Sequence, residues 1–234
     1  MENLSTKTPH VIEQIFNHLD LETLNSFKGA SKGFFNIIEE SKSYWLKIVE
    51  ANFGKVWRKH LEKCEIGHLM EFAISCLQFH DFETPLHLAA FEGHLEVYKK
   101  IAEDQKDKNP VAKNDLMTPL QLAAFQGHFS ICQFIVQEDG FLYDFDIYER
   151  CALHYAVISG HFEIVKLLVE KVNVKIKNLA KKKFFENLQL EEQSIISEAL
   201  ELAKKSENRK IMAFLTKQNC RMKVQNVFES FSNQ

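Results

Sequence analysis

Several residue types that mark particular protein classes are scarce in this chain of 234 residues. Only 8 Gly and 4 Pro are present, which excludes collagen-like and low-complexity chains and disfavours a turn-rich all-β fold. The 5 Cys are scattered without a Cys-x-x-Cys pair, so a reducing compartment is favoured over a disulfide framework or a zinc site. No stretch approaches the roughly eighteen apolar residues of a membrane helix, and the polar start MENLSTKTPH lacks the pattern of a signal peptide. The sequence therefore predicts a mostly helical chain that is neither secreted nor inserted in a membrane.

An excess of charge of either sign is also lacking. Lys and Arg number 29 against 32 Asp and Glu, a formal net charge of −3 with interspersed signs. This distribution does not favour binding to a phosphate backbone, so nucleic acid is not predicted as a partner. No nucleophile elbow, zinc-protease helix, Walker loop or dinucleotide-binding loop occurs, so we predict neither an enzyme nor a metal or cofactor site.

An internal repeat dominates the middle of the chain. The stretch T-P-L-H-L-A-A-F-E-G-H begins at Thr84, and T-P-L-Q-L-A-A-F-Q-G-H begins 34 residues later at Thr118. A looser copy, C-A-L-H-Y-A-V-I-S-G-H, begins 33 residues further on at Cys151. A fixed period of this length is the mark of a repeat protein.

Each copy of the repeat predicts two short helices. The Thr can cap the first helix and the following Pro suits its first position, where a missing N–H is harmless. Paired alanines allow a neighbouring helix to approach closely, and the Gly can end the helix in a left-handed conformation. Apolar residues then recur every third position, as at Leu95, Tyr98 and Ile101, which predicts a second helix.

The repeats resemble the ankyrin family, whose signature is T-P-L-H-x-A at a period of about 33 residues. The resemblance implies an α-solenoid of about four repeats over residues 81–218, the last one degenerate at Glu198–Ala203 and preceded by an insertion near 171–192. Residues 51–80 are predicted to be linking helices or a partial repeat, and 219–234 a flexible tail. The glycine usual in the hairpin turns is replaced by Phe82, Leu116 and Glu149, so strained turns are expected.

The first fifty residues do not share the repeat. Pro9 opens an apolar pattern from Ile12 to Leu19, and two further short helices are expected before Trp45. Three such helices bury little surface by themselves and need a partner. The segment 1–50 is similar to the F-box, on Pro9, the I-x-x-I-F-x-x-L helix, Leu24 and the Ser31-Lys32 pair. The predicted fold is thus all-α, a three-helix F-box-like module followed by ankyrin repeats.

The two resemblances together imply a substrate receptor of a Skp-cullin-F-box ubiquitin ligase. The F-box would bind a Skp-type adaptor and, through it, a cullin-RING scaffold, while the repeats would bind an unidentified target protein. Proximity then accelerates ubiquitin transfer without a catalytic residue in this chain. The residues expected to contact the adaptor are Pro9, Ile12, Ile15, Phe16, Leu19, Leu24 and Phe27.

The target is expected to lie in the groove of the repeats. The variable positions before the Gly and before the Thr-Pro pair face this groove in the family, and Phe91, Phe125 and Ile158 predict an apolar stripe there. The alternative is that these three side chains pack between helices. The predicted groove residues are Glu83, Phe91, Glu92, Met117, Phe125, Gln126, Arg150, Ile158 and Ser159.

Other interpretations of the sequence differ in partner and location. An ankyrin scaffold or inhibitor with no ubiquitin role, whose first helices cap the repeats, has a similar sequence, and so has a pathogen-encoded protein that redirects a host ligase. We expect a cytoplasmic protein, with the nucleus as a second location. The lysines between Lys175 and Lys183 fit a nuclear-localisation patch or, more simply, a solvated insertion.

Overall fold

The computed structural model describes residues 42–79, 82–103, 105–137, 144–179 and 185–232. Every regular element in these ranges is a helix, which confirms the all-α prediction. The chain divides into two compact units, residues 1–108 and 109–234.

The described part of the first unit consists of five α-helices and one 3₁₀ turn. These are α1 (Lys42–Phe53), the turn Lys55–Trp57, α2 (Arg58–Leu61), α3 (Ile66–Gln78), α4 (Pro85–Glu92) and α5 (Leu95–Ala102). Helix α1 packs on α3, which in turn packs on α4 and α5. The core holds Trp45 of α1 and Phe72 of α3, both fully buried. Residue 50, predicted as a domain boundary, lies inside α1.

The described part of the second unit contains six helices. They are α6 (Pro119–Gln126), α7 (Phe129–Gln137), α8 (Ala152–Ile158), α9 (Phe162–Leu179), α10 (Phe185–Lys205) and α11 (Arg209–Ser232). Helices α6, α8 and α10 pack side by side in that order, while α7 packs on α9 and α9 on α11. The paired alanines Ala123 and Ala124 of α6 are fully buried, as the close approach of a neighbouring helix requires. The unit is therefore a stack of helix pairs.

The predicted caps begin and end these short helices. At α6 the Thr118 hydroxyl accepts the Gln121 N–H, and the Gln121 side chain accepts the Thr118 N–H. Pro119 occupies the first helical position and Gly127 ends the helix with a φ of 90°. Helices α6 and α7 have 8 and 9 residues, so they fill only part of the repeat and leave room for a hairpin between repeats.

The insertion before the fourth helix pair lengthens two helices. Helix α9 has 18 residues and α10 has 21, whereas α6 has 8 and α7 has 9. Both long helices run through the predicted insertion at 171–192, and Lys181–Lys183 lie outside the described residues. Helix α11 continues to Ser232, so the segment predicted as a flexible tail from residue 219 is helical as far as it is described.

Strain at the hairpin turns is confirmed at two of the replaced glycines. Leu116 has a φ of 58° and Glu149 a φ of 57°, in the left-handed region that disfavours side chains. A third such residue, Glu207 with a φ of 55°, lies where Gly93, Gly127 and Gly160 lie in the earlier repeats. Asn208 follows it in the His position, and its side chain accepts the Ile211 N–H at the start of α11.

This conformation predicts that Glu207→Gly stabilises the protein. Glycine adopts a positive φ without the steric penalty of about 1–2 kcal/mol, although its unfolded chain is more flexible by about 0.4–1 kcal/mol. We expect a net gain of about 0.5–1 kcal/mol in the free energy of unfolding, measured by urea denaturation. The control Glu207→Ala removes the same exposed carboxylate and keeps the strain. If it stabilises as much, the left-handed backbone is not the cause.

Candidate protein-binding surface

The hairpin that precedes α8 is organised around one buried carboxylate. Asp146 accepts the backbone N–H groups of Tyr148 and Arg150, each at 2.9 Å from Oδ1. Its Oδ2 accepts the hydroxyl of Tyr155, which lies on α8. Burial, helped by this bond, raises the pKa of Tyr155, so the hydroxyl stays a donor at neutral pH. The tip of the hairpin is thereby joined to the helix behind it.

A buried glutamine joins the same hairpin to the preceding repeat. The Nε2 of Gln121 donates to the carbonyl oxygens of Asp144 at 2.9 Å and Arg150 at 2.8 Å. The hairpin before α8 is also linked directly to the hairpin before α6, since the Ile147 N–H donates to the Asp115 carbonyl oxygen at 3.1 Å. Successive hairpins therefore form a continuous hydrogen-bonded row within the second unit.

Several predicted groove residues of the second unit are partly exposed. Phe125 of α6 and Ile158 of α8, which occupy equivalent positions, remain 41% and 36% exposed. The Phe125 ring rests edge-on against Tyr155, with the two ring centroids 6.0 Å apart. Gln126 and Arg150 are exposed, whereas Met117 and Ser159 are half-buried. For Phe125 the packed and the exposed interpretations of the stripe both hold in part, because its ring contacts Tyr155 while 41% of the residue is exposed.

The predicted groove residues of the first unit differ. Phe91 is half-buried, and its ring lies 5.7 Å from that of Phe79 and 5.1 Å from that of Phe82, measured between centroids. Glu83 is exposed and Glu92 half-buried. The Phe91 side chain is therefore part of an aromatic cluster of its own unit.

The histidines of the repeat positions make structural contacts. His87 Nδ1 lies 2.8 Å from the Thr84 hydroxyl, at the start of its own helix. His94 and His161, which follow the glycines, lie against preceding helices: His94 Nε2 is 2.9 Å from the Ser75 hydroxyl and His161 Nε2 is 3.0 Å from the Phe125 carbonyl oxygen. These two contacts connect helices that are far apart in sequence.

The His154 side chain bonds the start of its own helix. Its Nδ1 accepts the Cys151 N–H at 3.0 Å, so the neutral ring carries its proton on Nε2, which lies 3.6 Å from Glu198 Oε2. A proton added to Nδ1 breaks the bond to Cys151. Burial lowers the pKa of His154, with Arg150 acting in the same direction and Glu198 and Asp146 against it.

The lowered pKa of His154 predicts an acid-sensitive repeat. Because the unfolded ring has a pKa of about 6.5 and the folded ring a lower one, the unfolded chain binds more protons as the pH falls below about 6.5. The stability contribution is complete above that pH and is lost progressively below it. In His154→Gln, whose side chain repeats the bonds of Gln121, we expect a smaller loss of stability between about pH 7 and pH 5.

The check is a urea titration at both pH values. His68→Gln, at an exposed position of α3, is the matched control and is expected to keep the wild-type pH dependence. A His154→Gln variant with the same acid-induced loss as the wild type shows that other groups cause it.

Burial keeps two cysteine thiols of the second unit protonated. Cys132 and Cys151 are buried, and burial raises the pKa of the first to about 12 and of the second to about 11. Within the described ranges, no three His, Cys, Asp or Glu side chains are grouped closely enough to hold a metal ion. Nor does any helix in those ranges combine the length and the apolarity that a bilayer crossing requires.

The predicted adaptor residues lie outside the described residues, which begin at residue 42. These are Pro9, Ile12, Ile15, Phe16, Leu19, Leu24 and Phe27. The end of the F-box-like segment is described: Tyr44 and Trp45 of α1 are buried, with ring centroids 5.1 Å apart. The ammonium group of Lys42 donates to the carbonyl oxygens of Glu62 and Cys64, which ties the start of α1 to the turn after α2.

Sequence reasoning missed the polar residues that shape the hairpins. Asp146, Tyr155, Gln121 and Asn109 each connect segments that no short motif joins. Asn109, for example, accepts the Leu120 N–H at 2.8 Å and donates to the Asp144 carboxylate at 3.0 Å. Of these four residues the sequence indicated only Gln121, and weakly, because it stands where the copies that begin at Thr84 and Cys151 have a histidine.

The comparison with known families finds a match over the middle of the chain. Residues 86–180 fit the family model described as ankyrin repeats, 3 copies. No F-box model is matched. No curated protein matches the chain. Ankyrin repeats imply a role in binding other proteins. The sequence period and the helix pairs agree with this match over residues 86–180.

Proposed function

We propose that the chain is a substrate receptor of a Skp-cullin-F-box ubiquitin ligase, without catalytic activity of its own. The observation that carries the protein-binding half is the exposure of Phe125 and Ile158 at equivalent positions of two stacked helices. Apolar side chains that recur on one face, one repeat apart, offer anchors for a partner protein. The repeats hold the target in this proposal.

The ligase half is supported by the apolar pattern of residues 9–27 and its order along the chain. An adaptor-binding segment ahead of a target-binding array brings the target close to a charged ubiquitin-conjugating enzyme, and the raised effective concentration accelerates transfer. The adaptor contacts are then Ile12, Ile15 and Leu19 on one helical face, with Leu24. Such a receptor works in the cytoplasm or the nucleus, where cullin-RING scaffolds assemble.

Adaptor binding is tested by a pull-down with a purified Skp-type adaptor. We expect the wild-type chain to be retained and Leu19→Asp to be lost, because a carboxylate on the apolar face cannot be desolvated against the adaptor. Asn17→Asp, on the opposite face of the same helical pattern, is the matched control and should bind like the wild type. Absence of wild-type binding refutes the ligase role and leaves the repeats as a binding module.

A second function is favoured by the packing of α1. Helix α1 packs on α3, its Trp45 is buried and Lys42 ties its start to the turn after α2, so residues 42–53 are an integral part of the first unit. This supports the alternative in which the N-terminal helices cap the repeats of an ankyrin scaffold. In that case Leu19→Asp lowers the free energy of unfolding of the whole chain, whereas in the ligase receptor it changes adaptor binding alone.

A further inference from the structure

The two hairpins of the second unit meet through one direct backbone contact. In the hairpin before α8, the Ile147 N–H donates to the Asp115 carbonyl oxygen of the hairpin before α6, at 3.1 Å. The Gln121 amide of α6 holds the later hairpin in this place by its bonds to the carbonyl oxygens of Asp144 and Arg150. One hairpin of this chain is therefore covered at its edge by the turn of the next.

The covering turn has one backbone donor that it does not use internally. Its first residue is Asp146, whose carbonyl oxygen accepts the Glu149 N–H at 3.0 Å and closes the turn. The Asp146 carboxylate accepts the N–H groups of Tyr148 and Arg150. The Ile147 N–H, at the second position of the turn, is thus left for the neighbouring hairpin.

The hairpin before α8 offers the same acceptor again, at Tyr148. Tyr148 corresponds to Asp115, since each directly precedes the left-handed residue of its hairpin and lies one period from the other. Among the described residues, no hydrogen bond reaches the Tyr148 carbonyl oxygen. Tyr148 is 67% exposed, and Ile147 beside it is 53% exposed. This edge of the hairpin is therefore open to solvent where the equivalent edge of the preceding hairpin is covered.

The edge is open because the fourth copy of the repeat has helix in place of a hairpin. Glu198 stands where Cys151 begins the third copy, so residues 191–197 correspond to the hairpin, and they belong to α10. His154, in the position of Gln121, has lost the matching contact: within the described part of the chain its buried Nε2 makes no hydrogen bond and lies 3.6 Å from the Glu198 carboxylate. The row of hairpins therefore stops one member short of the row of helices.

We infer that this open edge binds a reverse turn of the target protein, whose second residue donates its backbone N–H to the Tyr148 carbonyl oxygen. The inference rests on the proposed function, since it specifies how the repeats hold their target. The chain itself contains the contact one repeat earlier, between Ile147 and Asp115. Such a turn replaces the missing fourth hairpin and continues the row.

The geometry also specifies the sequence of the turn. Asp, Asn or Ser is expected at its first position, because a side-chain oxygen there accepts the later N–H groups as the Asp146 carboxylate does. Proline is expected to be absent from the second position, because it has no N–H to donate. Proline is common at that position of ordinary turns, so its absence distinguishes this contact from a turn selected for stability alone.

The test selects a phage-displayed library of random loops, each closed by a disulfide, on the immobilised full-length chain. We expect the enriched loops to contain Asp, Asn or Ser followed by a residue other than Pro. N-methylation of that second residue in a synthetic loop should weaken Kd by at least about tenfold, because it removes the donor and places a methyl group at the contact. N-methylation outside the turn is the matched control. Phe125→Gln, on the exposed face of α6, should leave Kd unchanged.

Nuclear magnetic resonance of the full chain locates the contact. With carbonyl carbons labelled, the Tyr148 resonance should move downfield when the loop is added, because its oxygen gains a hydrogen bond. The Asp115 carbonyl already accepts the Ile147 N–H, so its resonance should stay in place and serves as the internal control.

Three outcomes overturn the inference. The first is that no loop is enriched on the full chain. The second is that the enriched loops bind equally well when their second residue is N-methylated. The third is that they bind without moving the Tyr148 resonance, or are lost in Phe125→Gln, which places the binding surface on the helices. The adaptor pull-down depends on residues 9–27 and on no hairpin, so failure of the ligase proposal and failure of this inference are separable.

Discussion

Ala123→Glu is expected to unfold the stacked repeats of the second unit. Ala123 is 0% exposed on α6, which packs against both α7 and α8. A glutamate there needs space that a close-packed interior lacks and brings a charge without a partner. We expect a loss of about 4 kcal/mol or more in the free energy of unfolding, enough to remove much of the stability of an ordinary domain. Urea denaturation followed by circular dichroism measures it.

The matched control for this substitution is Ala213→Glu. Ala213 lies on α11 of the same unit and is exposed, so the added carboxylate stays in water. We expect a change within about 0.5 kcal/mol. If Ala123→Glu melts like the wild type, the repeat register that places Ala123 in a helix interface is wrong.

Gly127→Ala is expected to have the second-largest effect. A Cβ at Gly127 would lie 2.5 Å from Cε1 and 2.8 Å from Nδ1 of the His161 ring, far inside van der Waals contact. The φ of 90° adds left-handed strain of about 1–2 kcal/mol. Displacing the ring also breaks its hydrogen bond to the Phe125 carbonyl, worth about 1 kcal/mol. The expected loss is about 2–3 kcal/mol in the free energy of unfolding.

A double-mutant cycle separates the clash from the strain. In Gly127→Ala/His161→Ala the ring is absent, so the double variant should lose less than the sum of the two single losses. Gly67→Ala is the control, because its added Cβ meets nothing within 4 Å and the site is inside helix α3. It should gain about 0.5–1 kcal/mol. Strictly additive losses at Gly127 and His161 would falsify the proposed contact between them.

Much of the local structure followed from the residues of each repeat. Thr118 and Pro119 start α6, and Gly127 ends it, because the backbone groups at helix ends are satisfied by side chains a few residues away. The strain at Leu116 and Glu149 was equally predictable, since a position that usually holds glycine remains left-handed when another residue occupies it. The sequence indicated the fourth helix pair less clearly, because Glu207 stands where the earlier copies have glycine.

Other features depend on contacts between distant segments. Whether Phe91 faces solvent or an aromatic cluster depends on Phe79 and Phe82, and no pattern around Phe91 contains that information. The sequence showed only that additional residues precede the fourth copy of the repeat. The packing of α9 and α10 on their neighbours decides that these residues extend helices. Whether a side chain is exposed depends on which helices the stack places beside it.

The sequence by itself therefore determined the period, the all-α class and the helix ends of residues 86–180, because these depend on interactions within a few residues. Only the tertiary structure decided that Gln121 joins the hairpin before α8 to the preceding repeat, and that Phe125 stays exposed. Those features are set by hydrogen bonds and packing between residues roughly one repeat apart, whose partners are brought together by the stacking of the helix pairs.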